Sequence, residues 1–162
     1  MVALNVHLAD EAATLAWGRA LATCIEPGDT IHLEGELGAG KTTLVRGVLR
    51  GLGYEGRVKS PTYALVEVYE VSRLHLHHFD FYRFGESREW SDAGFRESFD
   101  GRTVTLVEWP EKAMGTLPRA DLRVVLTSSH SGRNASWSAI SPRGMRMLEC
   151  LRGAAPPAPC PS

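Results

Sequence analysis

Several things are scarce in this chain of 162 residues, and each scarcity closes a route. No apolar run approaches the roughly 18–20 residues that a membrane-crossing helix requires, so no membrane role is expected. The opening "MVALNVHLADEAATL" has neither a basic start nor a long apolar stretch, and reads as no signal peptide. Cysteine is limited to Cys24, Cys150 and Cys160, an odd and widely spaced set without a C-x-x-C pair. That predicts no disulfide framework and a reducing, cytoplasmic setting. The formal net charge of −1 leaves no bulk attraction for nucleic acid or membrane. His75, His77 and His78 fall close together, but no second His or Cys group completes a zinc set. Two nucleotide-enzyme signatures are missing as well. There is no Asn-Lys-x-Asp of a Ras-like guanine site, and no arginine-rich lid with which a small-molecule kinase excludes water.

Charge is present but unevenly spread. Residues 86–111 hold seven acids against three arginines, whereas residues 119–152 hold six arginines against Asp121 and Glu149. Such runs form either two solvated faces of opposite sign or a docking surface for a protein or RNA partner. The length suits one domain with a real core. Residues 153–162, "GAAPPAPCPS", are Pro/Ala-rich and predicted to be a disordered tail behind a domain spanning 1–152.

Periodicity predicts a first strand in "VALNVHL", then a helix from Ala12 to Cys24 behind the N-cap Asp10. "TIHLE" at 30–34 reads as a strand, and Lys41 to Leu52 as a helix stopped by Gly53. Strands are predicted in "ALVEVYEV", "RLHLHHFDFYRF" and "RTVTLVEW", and a broken helix in "GESREWSDAGFRESF". "DLRVVLTSS" and "NASWSAI" flank an "HSGR" turn as a hairpin, and Arg143 to Arg152 closes as a helix. The order implies an α/β fold with some antiparallel pairing.

Between the second strand and the second helix stands "LEGELGAGKTTLVRG". Gly35-x-x-x-x-Gly40-Lys41-Thr42 fits a phosphate-binding loop, in which glycines let several N–H groups converge on one anion. Lys41 is placed for the β- and γ-phosphates, and the Thr42 hydroxyl for Mg²⁺. Thr43 is placed for the α-phosphate. Loops of this kind need acids at neighbouring strand ends. Asp80 and Glu108 qualify, Asp80 on the metal side and Glu108 for metal support or water activation, with the roles exchangeable. Ser60-Pro61-Thr62 offers two hydroxyls in a non-helical loop, either a γ-phosphate sensor or an ordinary turn. Trp109 is either core or part of the nucleotide site. Arg83 either pairs with Asp80 or contacts phosphate.

Three blocks in order, "LEGELGAGKTT", "SPTYALVEVY" and "HFDFYR", followed by "LVEWPEK", resemble the TsaE (YjeE) family of bacterial ATPases over residues 8–135. The resemblance implies a single P-loop NTPase-like domain, a mixed sheet flanked by helices. It implies binding of ATP and ADP with Mg²⁺, slow hydrolysis, and service in making N6-threonylcarbamoyladenosine at position 37 of tRNAs that read ANN codons. It implies docking on the partners TsaD and TsaB, whose complex the ATP cycle resets, with tRNA touched only indirectly. By the same resemblance, Lys41, Glu108 and Asp80 are catalytic, and Thr42, Asp80 and Glu108 hold the metal. The nucleotide is held by Glu36, Leu37, Gly38, Ala39, Gly40, Lys41, Thr42, Thr43, Ser60, Thr62, Trp109 and Arg133, with Thr14 near the adenine. A small-molecule kinase and a nucleotide-gated binding module without required hydrolysis are the alternatives.

Overall fold

The computed structural model describes residues 3–72, 74–85, 90 and 94–157. Seven strands form one sheet in the order β1-β7-β6-β2-β5-β4-β3. They are β1 (Ala3–Leu8), β2 (Thr30–Glu34), β3 (Val66–Val71), β4 (Leu74–Asp80), β5 (Val104–Glu108), β6 (Leu122–Ser129) and β7 (Gly132–Ala139). The four central strands, β6, β2, β5 and β4, run parallel. β3 adds antiparallel to β4 on one side, and β7 then β1 add antiparallel beyond β6 on the other. The predicted mixed α/β sheet is therefore present. Its strand order is new information, because periodicity says nothing about neighbours.

The pattern of burial follows from this order. β2 and β5 sit centrally and are covered on both faces, with Ile31, Leu33 and Leu106 on the helical side and the polar Thr30, His32 and Thr105 buried on the other. On one face pack α1 (Glu11–Ala22), α2 (Lys41–Gly51) and α3 (Pro142–Ala154). Leu21, Leu44, Val48 and Leu148 meet Ile31, Leu33, Leu106 and Trp137 in this larger core. On the other face an aromatic cluster of Phe79, Phe81, Phe84 and Trp90 gathers around Val107 and Ala113. Side chains alternate along a strand, so on β4 Phe79 enters the aromatic cluster while Leu76 enters the helical core. His78 and Asp80 share the parity of Leu76.

Local chemistry sets the helix boundaries. Asp10 accepts from Ala13 N at 2.8 Å and Ser141 from Gly144 N at 3.2 Å, which starts α1 and α3. Gly53 has φ +95°, as expected for a residue just past a helix end. The helices α1 and α2 cross closely where Gly18 faces Gly47. A methyl on Gly18 would lie 2.8 Å from the Gly47 Cα.

Several expectations change. The segment read as a broken helix at 85–99 shows a short 3₁₀ turn at Phe95–Ser98, entered through Gly94 at φ +83°, while 86–89 and 91–93 lie outside the described residues. The closing helix runs on through Gly153 to Ala154, two residues into the stretch expected to be a disordered tail; 158–162, with Cys160, lie outside the described residues. The expectation of no disulfide is overturned, because Cys24 and Cys150 are bonded, Cα to Cα 5.6 Å, across 126 residues of sequence. Packing of α3 beside the end of α1 brings them together, which spacing along the chain does not display. The arginine-rich stretch does not form one free basic face either. Arg143 and Arg146 pair with the buried Asp29, Arg123 with Glu34, Arg133 binds the Gly38 carbonyl and Arg152 the Ala3 carbonyl.

Candidate functional site

The C-terminal ends of β2, β4 and β5 open onto one edge of the sheet, and the glycine loop bridges β2 to α2 there. Gly40 stands at the N-cap of α2 with φ +106°, a conformation that side-chain-bearing residues avoid. No side chain caps this helix. The N–H groups of its first turn, with no acceptor inside the helix, form an anion-binding end. A cavity of ≈ 260 Å³ lies against it, lined by Leu37 to Thr43, Ser60, Thr62, Asp80, Glu108 and Trp109. A second, ≈ 310 Å³, shares Gly38, Gly40 and Thr43 with the first and continues past Leu8, Asp10, Thr14 and Arg133. The loop residues thus line a cleft with two compartments.

Parallel pairing of β4 with β5 sets Asp80 directly beside Glu108. Both are buried. Burial pushes the Asp80 carboxyl above its ordinary value, and the neighbouring Glu108 charge pushes the same way, against hydrogen bonds from Tyr82 N at 2.9 Å and Thr62 Oγ1 at 3.1 Å. Ser60 Oγ also reaches Asp80, at 3.5 Å, and Thr62 Oγ1 at 2.8 Å. The hydroxyl loop is therefore tied to the acid. On the other side Thr42 Oγ1 donates to Glu108 Oε2 at 3.3 Å.

Lys41 is buried, which lowers its ammonium pKa. Glu108, Asp80, Glu111 and Glu36 oppose that shift in decreasing order. Its Nζ donates to the Gly35 carbonyl and, at 3.3 Å, to that of Glu36, and lies 4.1 Å from the centre of the Trp109 ring. Trp109 leaves β5 at φ +58°, a strained angle for a bulky residue. The turn swings its ring off the sheet, against Tyr82 and over Lys41. Trp109 therefore belongs to the cleft as well as to the aromatic core.

Two predicted residues, Glu36 and Arg83, sit differently, and Arg133 lies where it was expected. Glu36 is exposed and lines neither compartment, contributing only its backbone carbonyl to Lys41. Arg83 is not paired with Asp80; its guanidinium lies over the Tyr63 ring, 4.8 Å from the centre. Arg133 approaches the loop through Gly38 O at 3.0 Å and lines the second compartment with Thr14. The histidines disperse. His75 meets Glu70 and His77 meets Ser98, while His78 turns inward to Glu108. That last contact was missed from sequence. The available signal was a histidine two residues before a strand-end acid, on the same face of the strand.

The candidate metal ligands facing the first compartment are all oxygen, the hydroxyls of Thr42, Ser60 and Thr62 and two carboxylates. This is the chemistry of a hard cation such as Mg²⁺ rather than of zinc. The anion-binding helix end, a lysine and a cation-selective acid pair lie within one cleft, the combination that a nucleotide triphosphate with its metal requires.

Comparison with known proteins places the chain in a family. The family model described as "Threonylcarbamoyl adenosine biosynthesis protein TsaE" matches residues 8–135. A Haemophilus influenzae protein named tRNA threonylcarbamoyladenosine biosynthesis protein TsaE is 38% identical over 156 residues, covering 93% of this chain and 99% of that one. A Bacillus subtilis protein of the same name is 37% identical over 139 residues, covering 85% and 87%. The crystal structure of Bacillus subtilis YdiB superposes with a TM-score of 0.78 at 30% identity, covering 94% of each chain.

Proposed function

Because the chain belongs to the TsaE family, we propose that it is a cytoplasmic, Mg-dependent ATPase serving threonylcarbamoylation of adenosine 37 in tRNAs that read ANN codons. The observation that carries this reading is the convergence of Lys41, Thr42, Asp80 and Glu108 on one compartment beside the open end of α2. The α2 N–H groups and Lys41 bind the phosphates, and the nucleoside extends into the compartment of Thr14 and Arg133. Thr42, Asp80 and Glu108 hold Mg²⁺, which when bound neutralises charge on the β- and γ-phosphoryl oxygens. Glu108 orients the attacking water and accepts its proton, and ADP and phosphate leave. Trp109 covers Lys41 and screens the phosphates from bulk water.

Hydrolysis at this site does no chemistry on tRNA. Its product state would differ from its substrate state at the γ-phosphate, and the Ser60–Thr62 loop, tied to Asp80, is the element that would sense the difference. We infer that this difference sets the affinity for a TsaD–TsaB transferase complex, so that the ATP cycle resets the complex between turnovers. The test is reconstituted tRNA modification with TsaD and TsaB. Single-turnover yield is expected without this chain, and multiple turnover only with it and ATP. Equal multiple-turnover rates with and without it would overturn the reading. Full multiple turnover from a chain that binds ATP but does not hydrolyse it would favour a binding module instead.

A further inference from the structure

We propose that His78 is a positioning residue for Glu108, fixing the carboxylate in the orientation that hydrolysis uses; the inference rests on the role given to Glu108 above. His78 is fully buried, and its Nε2 lies 2.5 Å from Glu108 Oε2. Its other ring nitrogen, Nδ1, is buried and has no hydrogen-bond partner among the described residues. Glu108 is thus the polar group that this imidazole serves. A leucine or phenylalanine would fill the same space without the cost of burying a polar ring. We assign the donor role to Nε2 and the acceptor role to the carboxylate oxygen.

The strand geometry makes the contact specific. His78 lies one pleat back from Asp80 on the same face of β4, and Asp80 is the registered neighbour of Glu108 on β5. The imidazole therefore reaches Glu108 from inside the core, while the cleft lies on the outer side. Thr42 Oγ1 reaches the same Oε2 at 3.3 Å. Two donors on one oxygen pin the carboxyl plane and leave Oε1 for the cleft. Without His78, Thr42 alone holds the group, and Thr42 is itself proposed to serve the metal. A carboxylate free to rotate misplaces the attacking water while the phosphate grip, built from α2 and Lys41, stays as it is.

The test compares His78→Leu, which removes the donor, with His78→Gln, which keeps one, and uses His78→Phe as a second donor-free variant of similar volume. Steady-state ATP hydrolysis with Mg²⁺ gives kcat, and calorimetry with ADP gives nucleotide affinity. We expect His78→Leu and His78→Phe to lower kcat by ~10- to 100-fold, the scale of a misplaced catalytic group, with ADP affinity held within about two-fold. His78→Gln is expected to recover most of that loss, which a purely structural role would not produce. An unchanged kcat in the donor-free variants overturns the inference. So does a kcat loss that glutamine fails to rescue, or one matched by lost ADP affinity. Glu108→Gln in the same assay separates the two levels. Hydrolysis intact in Glu108→Gln overturns the role of Glu108 itself, whereas hydrolysis lost there but intact in His78→Leu overturns only that of His78.

Discussion

Placing a single methyl group where α1 crosses α2 tests how tightly the phosphate-binding helix is seated. In Gly47→Ala the new Cβ would stand 2.5 Å from the Leu15 carbonyl oxygen and 3.0 Å from the Gly18 Cα. Both obstacles are backbone, so no side chain can swing away. Ordinary contact begins near 3.4 Å, so the helices must part by about 0.9 Å at the crossing. A gap of that size forfeits roughly a quarter to a half of the dispersion energy of the atoms it separates, here around Leu21, Leu44, Val45 and Val48. Overpacking of this kind costs about 1–3 kcal/mol, and replacing a helical glycine with alanine returns up to about 1 kcal/mol. The rigid obstacle puts the cost at the upper end, so a net loss of about 1–2 kcal/mol is expected, equivalent to roughly 2–8 °C in Tm for a chain of this size. Thermal unfolding by circular dichroism measures it. Gly153→Ala in α3 is the control, since its Cβ would meet nothing within 4 Å; the same chemical change there leaves Tm level or slightly raised. A Gly47→Ala variant as stable as the unaltered chain would refute the argument that backbone contact limits this interface.

Three further outcomes are expected. Lys41→Ala loses calorimetrically measurable ATP binding, and because burial lowers the Lys41 pKa, affinity in the unaltered chain falls on the alkaline side before free lysine would lose its charge. His32 is buried, and desolvation lowers its pKa to about 4. The unfolded chain therefore binds a proton near pH 6.5 that the folded chain refuses. Stability falls between those values as pH drops, by about 3 kcal/mol in all. Denaturant titrations at pH 7 and pH 4.5 should show that difference shrinking in His32→Gln, and an equal acid loss in both proteins would count against it. Reducing the Cys24–Cys150 bond, which closes a loop of 126 residues, removes up to about 5 kcal/mol on the chain-entropy account. Melting with and without dithiothreitol should then differ by several degrees, and no difference would mean that the bond does not constrain the unfolded chain.

What the sequence made readable was local. β2 appears with the bounds its β-rich run suggested, and the loop after it was recognisable because four positions are fixed by a backbone that must wrap an anion. Asp80 and Glu108 could be named because each ends a strand. Their adjacency could not, since it depends on β4 pairing with β5 rather than with another strand. The same limit hid the disulfide and the His78–Glu108 contact, both made by residues far apart in sequence. Trp109 was ambiguous for a different reason. A tryptophan after a buried strand belongs to the core by composition, and only its left-handed backbone angle turns it over Lys41. Arg83 was assigned by proximity to an acid in sequence, but on leaving a strand the chain turns, and an exposed aromatic ring was the nearer partner.

The way β1 closes the sheet has a practical bearing. β1 runs parallel to β6 through its antiparallel neighbour β7, so Leu8 borders the cleft while Ala3 lies at the far end of the strand. Near the end of α3, Arg152 returns to the Ala3 carbonyl at 2.9 Å. The start of β1 and the end of α3 are therefore neighbours, with Ala3 a full strand length from the cleft, whereas Pro156 and Pro157 beyond α3 line a pocket with Ala9 and Asp10. A fluorophore, affinity handle or surface tether at the start of β1 points away from the nucleotide compartments, and a donor–acceptor pair placed at Ala3 and at the end of α3 starts at short range. Such a pair would report unfolding as a large loss of energy transfer while leaving nucleotide binding undisturbed.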